Sequence, residues 1–210
     1  MCIASLRGAI LHLVLACAWF APAMAQETAT ATASSAAAVT GVVIHTSLGD
    51  IHVALESQRA PITAANFLRY VDAKRFDNST FYRAVKIGAD DQYGMVQAGI
   101  RDARKEFKPI AHESTTTTGL SHVDGAISMA RTDPGTAASD FFFVIGDLTT
   151  LDARPDGSDL GYAVFGRVTQ GMEILKRILL LPRSAEAGEG AMKGQMLAEP
   201  VKILSIQRID

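Results

Sequence analysis

Residues 42–55, Val42-Val43-Ile44-His45-Thr46-Ser47-Leu48-Gly49-Asp50-Ile51-His52-Val53-Ala54-Leu55, decide the fold class. In the second half, Ile51, Val53 and Leu55 alternate with His52 and Ala54, the period of two that marks a strand with one buried face. Val42 to Thr46 is a second β-type run, and the four residues from Ser47 to Asp50 supply the turn, so the pair reads as a β-hairpin. Similar short runs recur at Thr80–Val85, Tyr93–Gln97, Gly125–Ala130, Phe141–Ile145, Tyr162–Val168 and Val201–Ile209. Two helical segments interrupt them. Pro61 opens the first, where its missing N–H does no harm, and Ala64, Phe67, Leu68 and Val71 share one face. The second, Gly171–Leu181, turns Met172, Leu175, Ile178 and Leu179 inward and stops at Pro182. Lys86–Gln92, Arg131–Asp140 and Ser184–Ala198 read as loops. Many short strands with two capping α-helices describe a mainly β domain, a closed or nearly closed barrel.

The chain ahead of the hairpin reads as an address. Arg7 gives residues 1–25 a positive start, and Ala9–Phe20 is apolar but short for a membrane span. Ala23-Met24-Ala25 then offers small residues for cleavage before Gln26. An uncleaved anchor is the alternative, and Leu13-Val14-Leu15-Ala16-Cys17 offers another, a lipoprotein anchored through Cys17. Both cysteines, Cys2 and Cys17, lie in this segment, so a cleaved chain is free of thiols, which suits an oxidising compartment. The expected location is periplasmic or secreted. Residues 26–40 are rich in Ala, Thr and Ser and read as a linker, leaving 41–210 as one folded domain.

Of the 210 residues, 48% are hydrophobic, enough for one sizeable core. Twenty Lys and Arg face 22 Asp and Glu, a net charge of -2, which argues against a nucleic-acid partner. The familiar catalytic templates are missing too: no Gly-x-Ser-x-Gly elbow, no His-Glu-x-x-His, and no cysteine in the cleaved chain. His45, His52, His112 and His122 lack ligand-like spacing, and Asp90-Asp91 reads as a solvated turn. No metal and no cofactor are expected. Attention falls instead on Phe81-Tyr82-Arg83, Met95-Val96-Gln97 and Phe141-Phe142-Phe143. Three successive aromatics in a strand face both sides of the sheet, so Phe142 should point away from Phe141 and Phe143. Arg83 is either a surface strand arginine or a buried cation that needs acceptors.

At these residues the chain resembles the cyclophilin family of peptidyl-prolyl cis-trans isomerases. The likeness runs in order through Phe81-Tyr82-Arg83, Met95-Val96-Gln97-Ala98-Gly99 and Gly125-Ala126-Ile127-Ser128-Met129-Ala130-Arg131. It continues through Ser139-Asp140-Phe141-Phe142-Phe143 and Gly161-Tyr162-Ala163-Val164-Phe165-Gly166-Arg167-Val168. The forms around Arg131 and Tyr162 resemble the bacterial periplasmic branch. The resemblance implies a closed eight-stranded antiparallel barrel with two capping helices, a monomer acting on proline-containing unfolded or extended polypeptides. It implies Arg83 and Gln97 as the catalytic pair, with Met95, Phe142 and Leu151 as the wall of a proline pocket. Ala130 and Arg131 match the edge that receives the peptide main chain, and Phe81, Asp140 and Tyr162 are implied as further peptide contacts.

The chain departs from the family pattern at three positions. Gly94 stands where a pocket phenylalanine is usual, with Tyr93 as a possible substitute. Asp140 replaces a glutamine, and Thr150 replaces the tryptophan that contacts cyclosporin in many members; an insertion at 153–160 follows. Gly94 and Asp140 keep a second reading open, a module that binds proline segments without appreciable turnover. A small-ligand barrel is a third reading, which leaves Arg83 with Gln97 unexplained.

Overall fold

The computed structural model describes residues 39–89 and 91–209, so the address segment and all but the end of the linker lie outside the described residues. Eight strands form one antiparallel barrel: β1 (Thr40–Thr46), β2 (Gly49–Leu55), β3 (Thr80–Ile87), β4 (Tyr93–Gly99), β5 (Ala126–Met129), β6 (Phe141–Ile145), β7 (Ala163–Gln170) and β8 (Met196–Ile209). Around the barrel they run β1-β2-β7-β5-β6-β4-β3-β8, and β8 returns to β1 to close it. The expected hairpin is present, with Val42 opposite Val53 and Ile44 opposite Ile51. β1 starts at Thr40, inside the segment read as linker, because Thr40 pairs with Leu55.

The interior follows from the alternation. Val42, Ile44, Ile51, Val53 and Leu55 all lie in the main core cluster, with Phe81, Phe141 and Phe143 facing them from the opposite wall. Helix α1 (Pro61–Asp72) adds Ala64, Phe67, Leu68 and Val71 to the same cluster, and α3 (Met172–Leu180) adds Ile174, Leu175, Ile178 and Leu179. The start of α1 has no side-chain cap of its own. Glu113, fifty residues on, accepts from the N–H groups of Ile62 and Thr63 at 3.1 and 2.7 Å and does the capping from a distance. α3 opens on Gly171 at φ 92°, where any Cβ would strike the Asp50 carbonyl and the Ile51 backbone.

Two details were not legible as pattern. A one-turn helix, α2 (Thr115–Thr118), sits between Ser114, whose side chain accepts from the Thr116 N–H, and left-handed Gly119. Four β-branched threonines give no helical period, so only the caps mark it. β8 begins at Met196, five residues before the expected strand, although it contains Pro200. The proline is tolerated in a bulge: Phe81 pairs with Val201, but Arg83 pairs with Met196.

Candidate active site

The same bulge builds the site. Phe81 points into the barrel, and the register shift between Phe81 and Arg83 lets two successive side chains, Tyr82 and Arg83, reach the outer face. On β4 the alternation turns Val96 and Ala98 inward and sends Met95 and Gln97 outward. On β6 it does the same for Phe142, which leaves the interior cluster of Phe141 and Phe143 and joins a second one with Ala126, Val144, Leu148 and Val164. These outward residues line a cleft of about 350 Å³.

One wall of the cleft is polar. The Arg83 guanidinium donates through Nη1 to Gln97 Oε1 at 2.8 Å. Through Nε and Nη2 it donates to Gln195 Oε1 at 2.9 and 2.6 Å. Among the described residues no carboxylate pairs with it, so two neutral amide oxygens fix its orientation without cancelling its charge. Burial lowers its pKa from the ordinary arginine value. Behind it, Gln97 Nε2 donates to the Tyr82 hydroxyl at 2.6 Å, and that hydroxyl donates to Asp140 Oδ2 at 2.9 Å. Desolvation pushes the Asp140 carboxyl up to about 6, against the pull of the Tyr82 hydrogen bond and the nearby Arg101. Burial also raises the Tyr82 phenol.

The other wall is apolar. Met95, Leu151 and Tyr162 pack against the cluster that holds Phe142. Phe142 meets the Tyr162 ring edge-on, with centroids 5.5 Å apart, and stacks on His122. His122 is wholly buried: its Nδ1 lies 2.5 Å from Asp152 Oδ1 and its Nε2 3.0 Å from Ser128 Oγ. Burial lowers the His122 pKa, and Asp152 opposes that shift. Asp152 also accepts from the His122 backbone N–H and the Ser121 hydroxyl, tying the Thr149–Leu151 turn to the barrel. Ser128, His122 and Asp152 have the bonding order of a hydrolase triad, but Ser128 is 0% exposed and no substrate can reach it. Arg131 stacks on Tyr162 and donates to the Gly161 carbonyl, which holds the Tyr162 ring at the rim.

This geometry can grip an apolar ring on one side and place a fixed cation beside it on the other. Residues 41–208 match the family model for cyclophilin type peptidyl-prolyl cis-trans isomerases. The chain is a cyclophilin. It is 34% identical over 177 residues to a peptidyl-prolyl cis-trans isomerase of Acinetobacter baylyi, covering 82% of this chain and 87% of that one. It is 36% identical over 166 residues to peptidyl-prolyl cis-trans isomerase A of Dickeya dadantii, covering 79% of each. Among solved structures, a Cryptosporidium parvum cyclophilin type isomerase superposes with a TM-score of 0.65 at 22% identity, covering 82% of this chain and 99% of that one, a likeness of fold. The same parasite protein in the presence of the dipeptide Ala-Pro superposes with a TM-score of 0.64 at 22% identity, covering 81% and 99%. As a cyclophilin the protein is a peptidyl-prolyl cis-trans isomerase, an enzyme that needs no cofactor.

In this cyclophilin one cleft is lined by Arg83, Gln97, Met95, Ala130, Arg131, Asp140, Phe142, Leu151 and Tyr162, residues that the family resemblance implies for a peptide site. Phe81 is the exception. It is fully buried inside the barrel against Phe141 and Phe143, because it lies on the inward side of the bulge, and it cannot touch a peptide. The expectation for Gly94 also needs correction. A Cβ there would run into the Val85 carbonyl and Leu179 of α3, so position 94 faces the helix and not the cleft. Tyr93 is 42% exposed and packs beside Gly146, so it does not replace a pocket aromatic. Thr150 is exposed and outside the cleft lining. The Ala130 N–H is already bonded to the Asp140 carbonyl at 2.9 Å and is not free to receive a peptide.

Sequence reasoning missed three side chains. Tyr82 lies inside a quoted motif, but nothing there signals that its hydroxyl bridges Gln97 and Asp140. Arg101 stacks over the Tyr82 ring at 4.5 Å. Gln195, in a segment read as a loop, carries no signal; its carbonyl accepts from the Ala84 N–H at 3.0 Å just ahead of β8, which sets its side chain beside Arg83.

Proposed function

We propose that this isomerase acts on X–Pro bonds in unfolded or extended polypeptides outside the cytoplasm, as a monomer, with Arg83 as its central catalytic residue. Rotation about the X–Pro bond breaks amide resonance against a barrier of roughly 18–20 kcal/mol. In the twisted state the prolyl nitrogen regains a lone pair. A guanidinium held beside the ring can donate to that nitrogen or to the neighbouring carbonyl, and such a donor accelerates rotation when its bond strengthens in the transition state.

The observation that carries this reading is the pairing of Arg83 with Gln97 and Gln195 at the rim of the apolar wall formed by Met95, Phe142 and Leu151. The wall grips the proline ring while the preceding residue turns. Export is supported by the apolar stretch and the Ala23-Met24-Ala25 site near the amino terminus. The competing idea of a non-catalytic binding module loses one of its two supports, since Gly94 does not face the cleft.

The test is Arg83→Ala in an isomerisation assay on a Xaa-Pro peptide. With the fold intact by circular dichroism, kcat/KM should fall about 10²–10³-fold, or roughly 3–4 kcal/mol. Arg83→Lys should recover little, because an ammonium lacks the planar fork that meets Gln97 and Gln195 together. A folded Arg83→Ala protein as fast as the parent would sink the proposal.

A further inference from the structure

Asp140, Tyr82, Gln97 and Arg83 form an unbroken line of hydrogen bonds that ends at the proposed catalytic cation. The direction of each bond follows from what each group can donate. An ionised carboxylate only accepts, so Asp140 takes the single Tyr82 proton. The Tyr82 oxygen then has only lone pairs to offer, and Gln97 must turn its NH₂ end toward it. That leaves Gln97 Oε1, and not its NH₂, facing the Arg83 guanidinium. An inverted amide would oppose donors to donors at Arg83. Gln97 is 6% exposed and Tyr82 4%, so water has little room to correct an inverted arrangement.

We infer that Tyr82, oriented by Asp140, is a positioning residue for isomerisation, setting the Gln97 amide so that its oxygen faces and steadies Arg83. The inference rests on the reading of Arg83 as the catalytic donor. It also gives the acid at position 140 a task of its own. When Asp140 is protonated its hydroxyl can donate to Tyr82, the tyrosine proton turns toward the Gln97 NH₂, and the amide is caught between a donor at Tyr82 and the donors of Arg83. The charged and titratable groups around Asp140 are Tyr82 from β3, Arg101 from the segment after β4, and Glu106, which accepts from the Ser139 hydroxyl at 2.6 Å. Isomerisation should therefore gain speed as pH rises through the Asp140 midpoint near 6.

The experiment follows exchange between the cis and trans forms of an uncharged Xaa-Pro peptide by NMR, below and above that pH. It compares the parent with Tyr82→Phe, Asp140→Asn, Asp140→Ala and Arg83→Ala. Tyr82→Phe removes one oxygen from a packed ring and should lower kcat/KM about tenfold near neutral pH, as expected when a buried donor loses its acceptor. KM should change little, and the pH step should vanish. Asp140→Asn should also abolish the step, since an amide oxygen can accept from Tyr82 at every pH, and should lose less rate than Asp140→Ala. If Arg83→Ala is slow while Tyr82→Phe keeps both the parent rate and the step, the positioning role is wrong and the Arg83 reading stands. A step that survives in Asp140→Asn belongs to His122 behind Phe142 and also overturns the inference. A fast, folded Arg83→Ala protein would instead remove the reading on which it rests.

Discussion

Asp140 is a carboxylate in an unfavourable place. Its pKa is about 6 in the folded protein against 3.8 for an unperturbed aspartate, and desolvation is the main cause. The folded state therefore holds this proton more tightly than the unfolded chain does. Its contribution to stability is most favourable below the unfolded value and is lost as pH rises through the folded one. The loss is on the order of 2–3 kcal/mol at neutral pH. Asp140→Asn should accordingly stabilise the protein near neutral pH and give no such gain in acid, as read by urea unfolding at the two pH values. An equal effect at both would mean that the carboxyl is not desolvated. The same substitution is expected to remove a catalytic pH response, so position 140 exchanges stability for control of Gln97. None of this was legible in the chain. All four residues of the line stand in recognisable motifs, but Tyr82 and Asp140 meet across 58 positions of sequence and only the barrel brings them together.

At the scale of elements, alternation carried most of the reading. It marked the β1–β2 hairpin and sorted Phe142 from Phe141 and Phe143, because side chains on a strand must take opposite faces. It failed where strands are irregular. The bulge on β3 places two consecutive residues on one face, and the bulge on β8 hides Pro200 inside a strand. The family pattern likewise puts position 94 at the pocket, which its inward direction forbids. The turn from Thr149 to Leu151 yields a further expectation. Asp152 accepts from the His122 ring and backbone and from Ser121, and these bonds fix the turn that presents Leu151. Asp152→Ala should destabilise the fold by about 2–3 kcal/mol, as expected for lost hydrogen bonds to a charged group, and should raise KM as Leu151 shifts. Asp156→Ala, in the exposed part of the insertion at 153–160 that follows, should change stability by less than about 0.5 kcal/mol. Urea unfolding with peptide kinetics separates the two; equal effects would show that the His122 anchor carries no weight.

For the whole molecule, the proposed export predicts secreted protein whose intact mass begins at Gln26. A diacylated terminus at Cys17 would replace that assignment with a membrane-tethered form. The closure of the barrel has a bearing on timing as well. β1 is the first strand made and β8 the last, yet they are neighbours, with Val42 opposite Arg208 and Ile44 opposite Ile206. β3 leans on the same final strand. Until the 14 residues of β8 emerge, two of the eight strands each lack a partner along one edge. Contacts that span nearly the whole chain form late and slowly. A growing chain of this protein thus stays an open thread until its eighth strand is made, and only then can the enzyme come into being.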